Sequence, residues 1–462
     1  MKKTYAQVRG WARSHSWLYA VLVALAVALV HVPTAPNGIG ADMTEYLNQT
    51  YSLLGKTPEQ ARESTIRVFC AQYGDRQLVM LEPDKPYDPA AGIETEQKCL
   101  DRLHEEGRKP TAAKYGPAIT RVGPNYSERY EAIFLSRPAV AWTFVPGVAL
   151  LPDRLGIWLT ALFFMLLGGF LIFLFLRTIG LSPMVAVFGQ LLYYVLPTRQ
   201  WSMDPRSEAA LLTLFAACLL SIGWLMTGRT RRGVALFSFV FVFGFFFKYS
   251  QFMLLAAGLA GTGVIALLLA KRAGRPLKPL MIIVIGGAIA TAGNFLGAKL
   301  MGWPGGAESM QDLLTVHYLN PDVADPVGGW LERNRYFWPW WLLQRVQEPL
   351  WLVSWVVAAW GLVKARSTVS FAIYATVIAG LLTQAGHPNP GGLDRLIVVI
   401  WFLVICGIPI LVQHLIDRRE PAAIEGTPAT TAGAEPVSAG TGPVSAGTGP
   451  VSAGTGPVTG RA

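Results

Sequence analysis

Long stretches without a carboxylate constrain this chain more than any other feature. Several runs of about 17 to 22 residues, 209–227 among them, contain no Asp or Glu. That length crosses a hydrocarbon core of roughly 30 Å as a helix. A membrane-spanning strand would show alternation over about ten residues instead. Inside lipid the backbone must satisfy its own hydrogen bonds, so unbroken apolarity of this kind implies helices. Composition agrees: 52% of the 462 residues are hydrophobic and 15% charged, with mean hydropathy +0.38, a balance foreign to water-soluble domains. The expected fold class is an all-α polytopic integral membrane protein.

Ten segments read as transmembrane helices: 17–34, 154–176, 183–198, 209–227, 233–248, 250–270, 279–301, 349–363, 368–385 and 396–416. The net charge of +10 fits either nucleic acid or the cytoplasmic ends of many helices, and position decides between them. Basic clusters at Lys2/Lys3/Arg9/Arg13, Arg229/Arg231/Arg232, Lys271/Arg272/Arg275/Lys278, Lys364/Arg366 and Arg418/Arg419 are short and flank apolar runs. That is the positive-inside pattern, which sets nucleic acid aside as a partner. With the N-terminus inside, every cluster falls on the cytoplasmic face. A multi-pass protein of the plasma (inner) membrane with both termini cytoplasmic is expected. The first apolar run follows a basic head, as in a signal peptide, but its exit VHVPTAPNG is a poor cleavage site, so a retained anchor is expected.

This topology divides the chain into a basic N-terminus at 1–16, a helical membrane domain at 17–416 and a tail at 417–462. It leaves 35–153 as a large first extracytoplasmic loop, 302–348 as a second outer segment and 387–395 as a short third one. The first loop closes with 138–151, apolar but too short to span, which reads as an interfacial or re-entrant helix. Cys70 and Cys99 both fall in it, where they can oxidise, and they are expected to form a disulfide. Cys218 and Cys406 lie within spans and read as packing residues. The tail writes PVSAGTG three times in succession, cannot bury a core, and reads as a disordered extension.

None of the ten segments carries Asp or Glu in its interior or is clearly broken, whereas ion-coupled transporters need ionisable groups or broken helices near the midplane. The carboxylates gather instead at outer ends: Asp42, Glu45, Asp153, Asp204, Glu208 and Asp394. Arg137, Arg199, Arg206, Lys248, Lys299, Arg345 and Arg395 stand at the same level, with His387 nearby. For a single residue, snorkelling and solvation explain such a position. As a layer, cations to hold a lipid phosphate and carboxylates to draw a proton from a hydroxyl fit a reaction at the outer interface. Asp42 and Glu45, three residues apart, share one helix face at the membrane mouth. The aromatic segment ending NRYFWPWWLLQ reads mainly as an interfacial girdle, with a sugar-stacking platform as the alternative. Lys248, between FGFFF and YSQFM, reads as a phosphate anchor or as a snorkelling side chain.

The layout resembles the GT-C glycosyltransferases, polytopic enzymes of the mannosyltransferase and aminoarabinose-transferase kind that use polyprenyl-phosphate sugars. The likeness rests on a first span followed by a large outer loop opening with Asp42-Met43-Thr44-Glu45-Tyr46-Leu47. That loop ends with a Pro-containing segment from Arg137-Pro138-Ala139 to Pro146-Gly147. Asp204 or Glu208 follows the third span, and Arg395 stands in a late outer loop. It implies inverting transfer from a polyprenyl-phosphate-linked sugar to a glycan, lipid or protein acceptor, with membrane lipid around the site. Asp42 would take the acceptor proton, and Glu45 would orient the acceptor or bind a divalent cation (Mg or Mn). Tyr46 accompanies the acidic motif, and Arg137, Arg206, Lys248 or Arg395 would offset charge on the departing phosphate. The family's acidic pairs or Asp-X-Asp are replaced here by Asp-X-X-Glu, which leaves the metal open.

Two other classes fit the same features. A carrier or flippase for a lipid-linked sugar would share the phosphate site without a base. A noncatalytic cell-envelope assembly protein would depend on Cys70, Cys99 and the aromatic segment rather than on the acids. There is no P-loop, CxxC pair or HExxH. NQT at Asn48 and NYS at Asn125 match glycosylation acceptors.

Overall fold

The computed structural model describes residues 16–32, 41–79, 88, 90–106, 128–365, 367–390 and 393–419. The basic N-terminus, the exit of the first apolar run, Asn125 and nearly all of the tail lie outside these residues. All regular structure among the described residues is helical. Among the described residues five helices are long and apolar enough to cross a membrane, or up to seven if each of two bent pairs is one crossing. The fold is that of a helical membrane protein.

The first helix, α1 (Ser16–His31), leads to five helices in the expected first loop: α2 (Ala41–Leu53), α3 (Pro58–Val79), α4 (Ala90–Glu106), α5 (Glu128–Leu135) and α6 (Pro138–Leu150). Cys70 on α3 and Cys99 on α4 are joined by a disulfide, packed with Ile66 and Leu103 in a small core of their own. The pairing expected from sequence is present. Helices α5 and α6 meet at a 69° bend, and α6 is the helix expected over 138–151.

The apolar helices then follow as α7 (Asp153–Thr178), α8 (Pro183–Val195), the short α9 (Pro197–Met203) and α10 (Ser207–Met226). Next come the long α11 (Thr230–Arg272) and α12 (Lys278–Leu300). After α13 (Gly306–Leu314) come α14 (Pro326–Val346) and α15 (Pro349–Lys364), bent by 95° to one another. The chain ends through α16 (Ser370–Gly386), α17 (Leu393–Ile397) and α18 (Phe402–Arg419). Helix α10 is buried along nearly its whole length and forms the axis of the bundle. Its Phe215 meets Phe252 of α11 at 5.5 Å and Phe402 of α18 at 6.3 Å.

A straight helix of 43 residues would measure about 65 Å, twice a bilayer core. Helix α11 avoids this by reversing at Lys248, whose φ of −166° and ψ of 72° are not helical. A Cβ on Gly244 would lie 2.4 Å from the Phe252 ring, although eight residues of straight helix would separate the two by about 12 Å. The two arms therefore fold back on each other. The sequence segments 233–248 and 250–270 are the arms of this hairpin. Glycine also permits a close helix contact: a Cβ on Gly156 of α7 would sit 2.3 Å from the Gly147 carbonyl oxygen of α6.

Helices lie within each of the ten segments read as spans, but α1, α8 and α16 have 17 residues or fewer, short of a full crossing. The third breaks at Pro197, which cannot donate a backbone bond, giving α8 and α9. The eighth, α15, has 16 residues and is long enough to cross only together with α14.

Candidate functional site

Breaks in the helices bring four sequence-distant ionisable residues together. Asp42 lies in the first turn of α2 and Glu208 in the first turn of α10, where the helix dipole favours a carboxylate. Lys248 occupies the hairpin turn of α11, and Arg395 lies on α17. Arg395 joins the set: its Nη1 donates to Asp42 Oδ2, and its Nε donates to Glu208 Oε1 at 2.8 Å. Lys248 Nζ donates to the same Glu208 oxygen at 3.3 Å, and the Ser207 hydroxyl lies 3.2 Å from the other. Glu208 is 1% exposed and Lys248 7%, whereas the Asp42 side chain is 22% exposed. The cluster thus grades from a sealed interior at Glu208 to an accessible carboxylate at Asp42.

The surrounding residues extend this layer. Arg206 Nε donates to Asp204 at 2.8 Å, and Arg206 also acts on Asp42 by its charge. Burial works to raise the Asp42 carboxyl, but the Arg395 and Arg206 guanidiniums outweigh it and hold it below the ordinary carboxylate range. At Asp204 the balance reverses. Burial pushes it up to about 6 against Arg206 and Arg395. Tyr46, fully buried one turn after Asp42, accepts a hydrogen bond from Arg137 Nη1 at 3.2 Å. Glu45 is buried on the same helix. His387 caps α16; burial pushes its ring down to about 4, and Lys248 is among the charges acting on it.

Three sequence candidates belong to other interactions and a fourth is exposed. Arg199 Nε donates to His31 Nε2 at 2.9 Å, Arg345 pairs with Glu348, Asp153 accepts from Tyr51 at 2.6 Å, and Lys299 is exposed near the end of α12. The side chain of Asp394 lies outside the described residues.

Sequence reading missed the segment after α13. Val316, His317 and Tyr318 all have φ between 54° and 62°, a run of left-handed conformation costing on the order of 1–2 kcal/mol per residue. The turn presents His317, whose Nδ1 donates to Asp312 Oδ1 at 2.9 Å and whose ring meets Tyr130 at 4.8 Å. None of the three left-handed residues is Gly or Asn, and the only local mark is Asn320, whose Nδ2 donates to the Thr315 carbonyl at 3.1 Å.

No group of three or more His, Cys, Asp or Glu side chains set to hold a metal occurs among the described residues. The carboxylates of the cluster face guanidinium and ammonium groups, a donor set that does not fit a divalent cation. The basic ends of α7, α10, α12 and α15 alternate with this layer along the chain. From Glu208 to the Arg229 cluster is the length of α10, about 30 Å.

The fold and the ion cluster define a class: a helical multi-pass membrane protein with a charged site at one end of its bundle. The chain matches no family model, no curated protein and no solved structure.

Proposed function

We propose that the chain is a membrane glycosyltransferase moving a sugar from a polyprenyl-phosphate carrier to an acceptor at the extracytoplasmic face, with inversion at the anomeric carbon. The observation that carries this reading is the bridge Arg395 makes between Asp42 and Glu208, beside Lys248. The basic clusters at the opposite helix ends favour this layer lying outside, both termini inside, and ten crossings.

Around the cluster stand four cations, Arg137, Arg206, Lys248 and Arg395, against three carboxylates, Asp42, Asp204 and Glu208. The guanidinium and ammonium groups supply the donors that suit an anionic lipid phosphate. Pre-set donors stabilise charge developing on the leaving phosphate without reorganising. Asp42, kept ionised and the most accessible of the bridged acids, would receive the acceptor hydroxyl in hydrogen bond beside the anomeric carbon.

The test is Asp42→Asn, measured as transfer from a radiolabelled polyprenyl-phosphate sugar in membranes holding equal amounts of each protein. A loss of about 100-fold or more is expected, and retained transfer overturns the reading. A variant that still moves the lipid-linked sugar across the bilayer, where wild type also forms no covalent product, identifies the carrier alternative.

A further inference from the structure

The imidazole of His317 is built into the same end of the bundle as the ion cluster. Asp312, itself buried at the end of α13, accepts from Nδ1. This fixes the tautomer, and the lone pair of the neutral ring is then on Nε2. The ring lies against Tyr130, which meets Phe134 at 5.0 Å, and Phe134 meets Tyr46 at 5.4 Å, one turn from Asp42. The turn carrying His317 is left-handed at three successive non-glycine residues. It is held from behind by Tyr318, whose hydroxyl donates to the Glu308 carbonyl at 2.7 Å while Arg129 covers its ring at 4.4 Å. Backbone kept in so unfavourable a region points to a positioning demand on its side chains.

We infer that His317, oriented by Asp312, accepts the proton of the acceptor hydroxyl, while Asp42 remains ionised and orients that hydroxyl. This rests on the transferase reading above. In the step the acceptor O–H bond breaks and its proton passes to Nε2. The acceptor oxygen bonds to the anomeric carbon, and the sugar–phosphate bond breaks with its electron pair on the phosphate oxygen. The imidazolium then returns its proton to water.

The electrostatics agree with this division. The hydrogen bond to Asp312 raises the His317 pKa above its ordinary value, burial opposes it, and the Asp312 and Asp42 charges add to the rise. Asp42 is moved the other way by its guanidiniums. A base works best when its pKa lies near the operating pH, which favours the imidazole over the carboxylate. Groups acting on or touching the ring include Asp312 from its own segment, Tyr130 from α5, Asp42 from α2 and His387 after α16. Arg129 and Glu308 stand behind Tyr318.

The experiment uses the full chain in lipid nanodiscs. Short-chain polyprenyl phosphates carrying mannose, glucose or arabinose are the donors, octyl mannoside is the acceptor, and released lipid phosphate is followed against pH. Wild type should gain rate along an acid limb centred above pH 6.5, because His317 must be neutral to act. His317→Gln should lose about 100-fold or more together with that limb, and added imidazole should partly restore His317→Ala. Asp312→Asn should move the limb to lower pH. A His317→Gln protein with wild-type rate or an intact limb overturns the inference and leaves the transferase reading standing. Wild type that consumes none of the donors overturns both. Should His317→Gln fail to fold, an unchanged pH profile in Asp312→Asn overturns the inference.

Discussion

Replacing Glu208 by Gln should damage the fold more than replacing Asp42 by Asn, although both acids bind the same arginine. Glu208 is 1% exposed and holds Arg395 at 2.8 Å and Lys248 at 3.3 Å. Its neutralisation takes the carboxylate away from Lys248 and leaves Arg395 bonded to Asp42. Removing one partner of a buried ion pair typically costs about 3–5 kcal/mol. Asp42 shares only Arg395, which keeps Glu208, and its side chain is 22% exposed. Solvent screening reduces its loss to roughly 1–2 kcal/mol, between the surface and buried limits. The assay is unfolding in mixed micelles followed by Trp fluorescence. A second comparison sharpens it. Glu208→Gln combined with Lys248→Met removes an unpaired charge along with the acid, and should be less destabilised than Glu208→Gln alone. Equal stabilities for the two acid variants, or a double variant weaker than the single one, would refute the view that Glu208 is the structural acid and Asp42 the available one.

Three further outcomes follow from the same structure. Replacing Cys70 and Cys99 by Ser opens a loop of 29 residues and should destabilise the α3–α4 pair by about 3–4 kcal/mol, read as faster proteolysis within 58–106. Gly156→Ala forces a Cβ onto the α6 backbone and should cost about 1–3 kcal/mol, seen as a lower unfolding midpoint. Because burial raises Asp204 to about 6, the folded protein binds its proton more tightly than the unfolded chain, whose Asp titrates near 3.9. Its contribution is therefore most favourable below about pH 4 and is lost as pH rises through 6; Asp204→Asn should flatten that part of a pH–stability curve.

The helices were legible because lipid demands long apolar runs, and the runs at 209–227 and 279–301 correspond to α10 and α12. The disulfide was legible from two cysteines in one polar segment. Among the ionisable candidates, Asp42, Arg395, Glu208 and Lys248 meet in one cluster, whereas Arg199 and Arg345 bond elsewhere. Sequence position gives a residue's depth along the bundle but not its azimuth around it, so residues of one layer could not be sorted into partners. His317 escaped entirely, because a left-handed turn through Val-His-Tyr is imposed by tertiary contacts rather than by local propensity.

The location of the site has a common physical cause. Asp42 and Glu208 open helices, Lys248 sits where α11 reverses, Arg137 lies between two bent helices, Arg395 lies on the short α17, His387 caps α16 and His317 lies in a strained turn. A charge in the middle of an apolar helix would be desolvated with no polar partner in reach. A helix terminus already exposes unpaired backbone groups that must meet side chains, water or ligand. Desolvating a charge costs least there, and several termini at one level can aim their side chains at one point. An apolar bundle therefore concentrates its chemistry at an end, and the end free of the basic clusters is where these seven breaks occur.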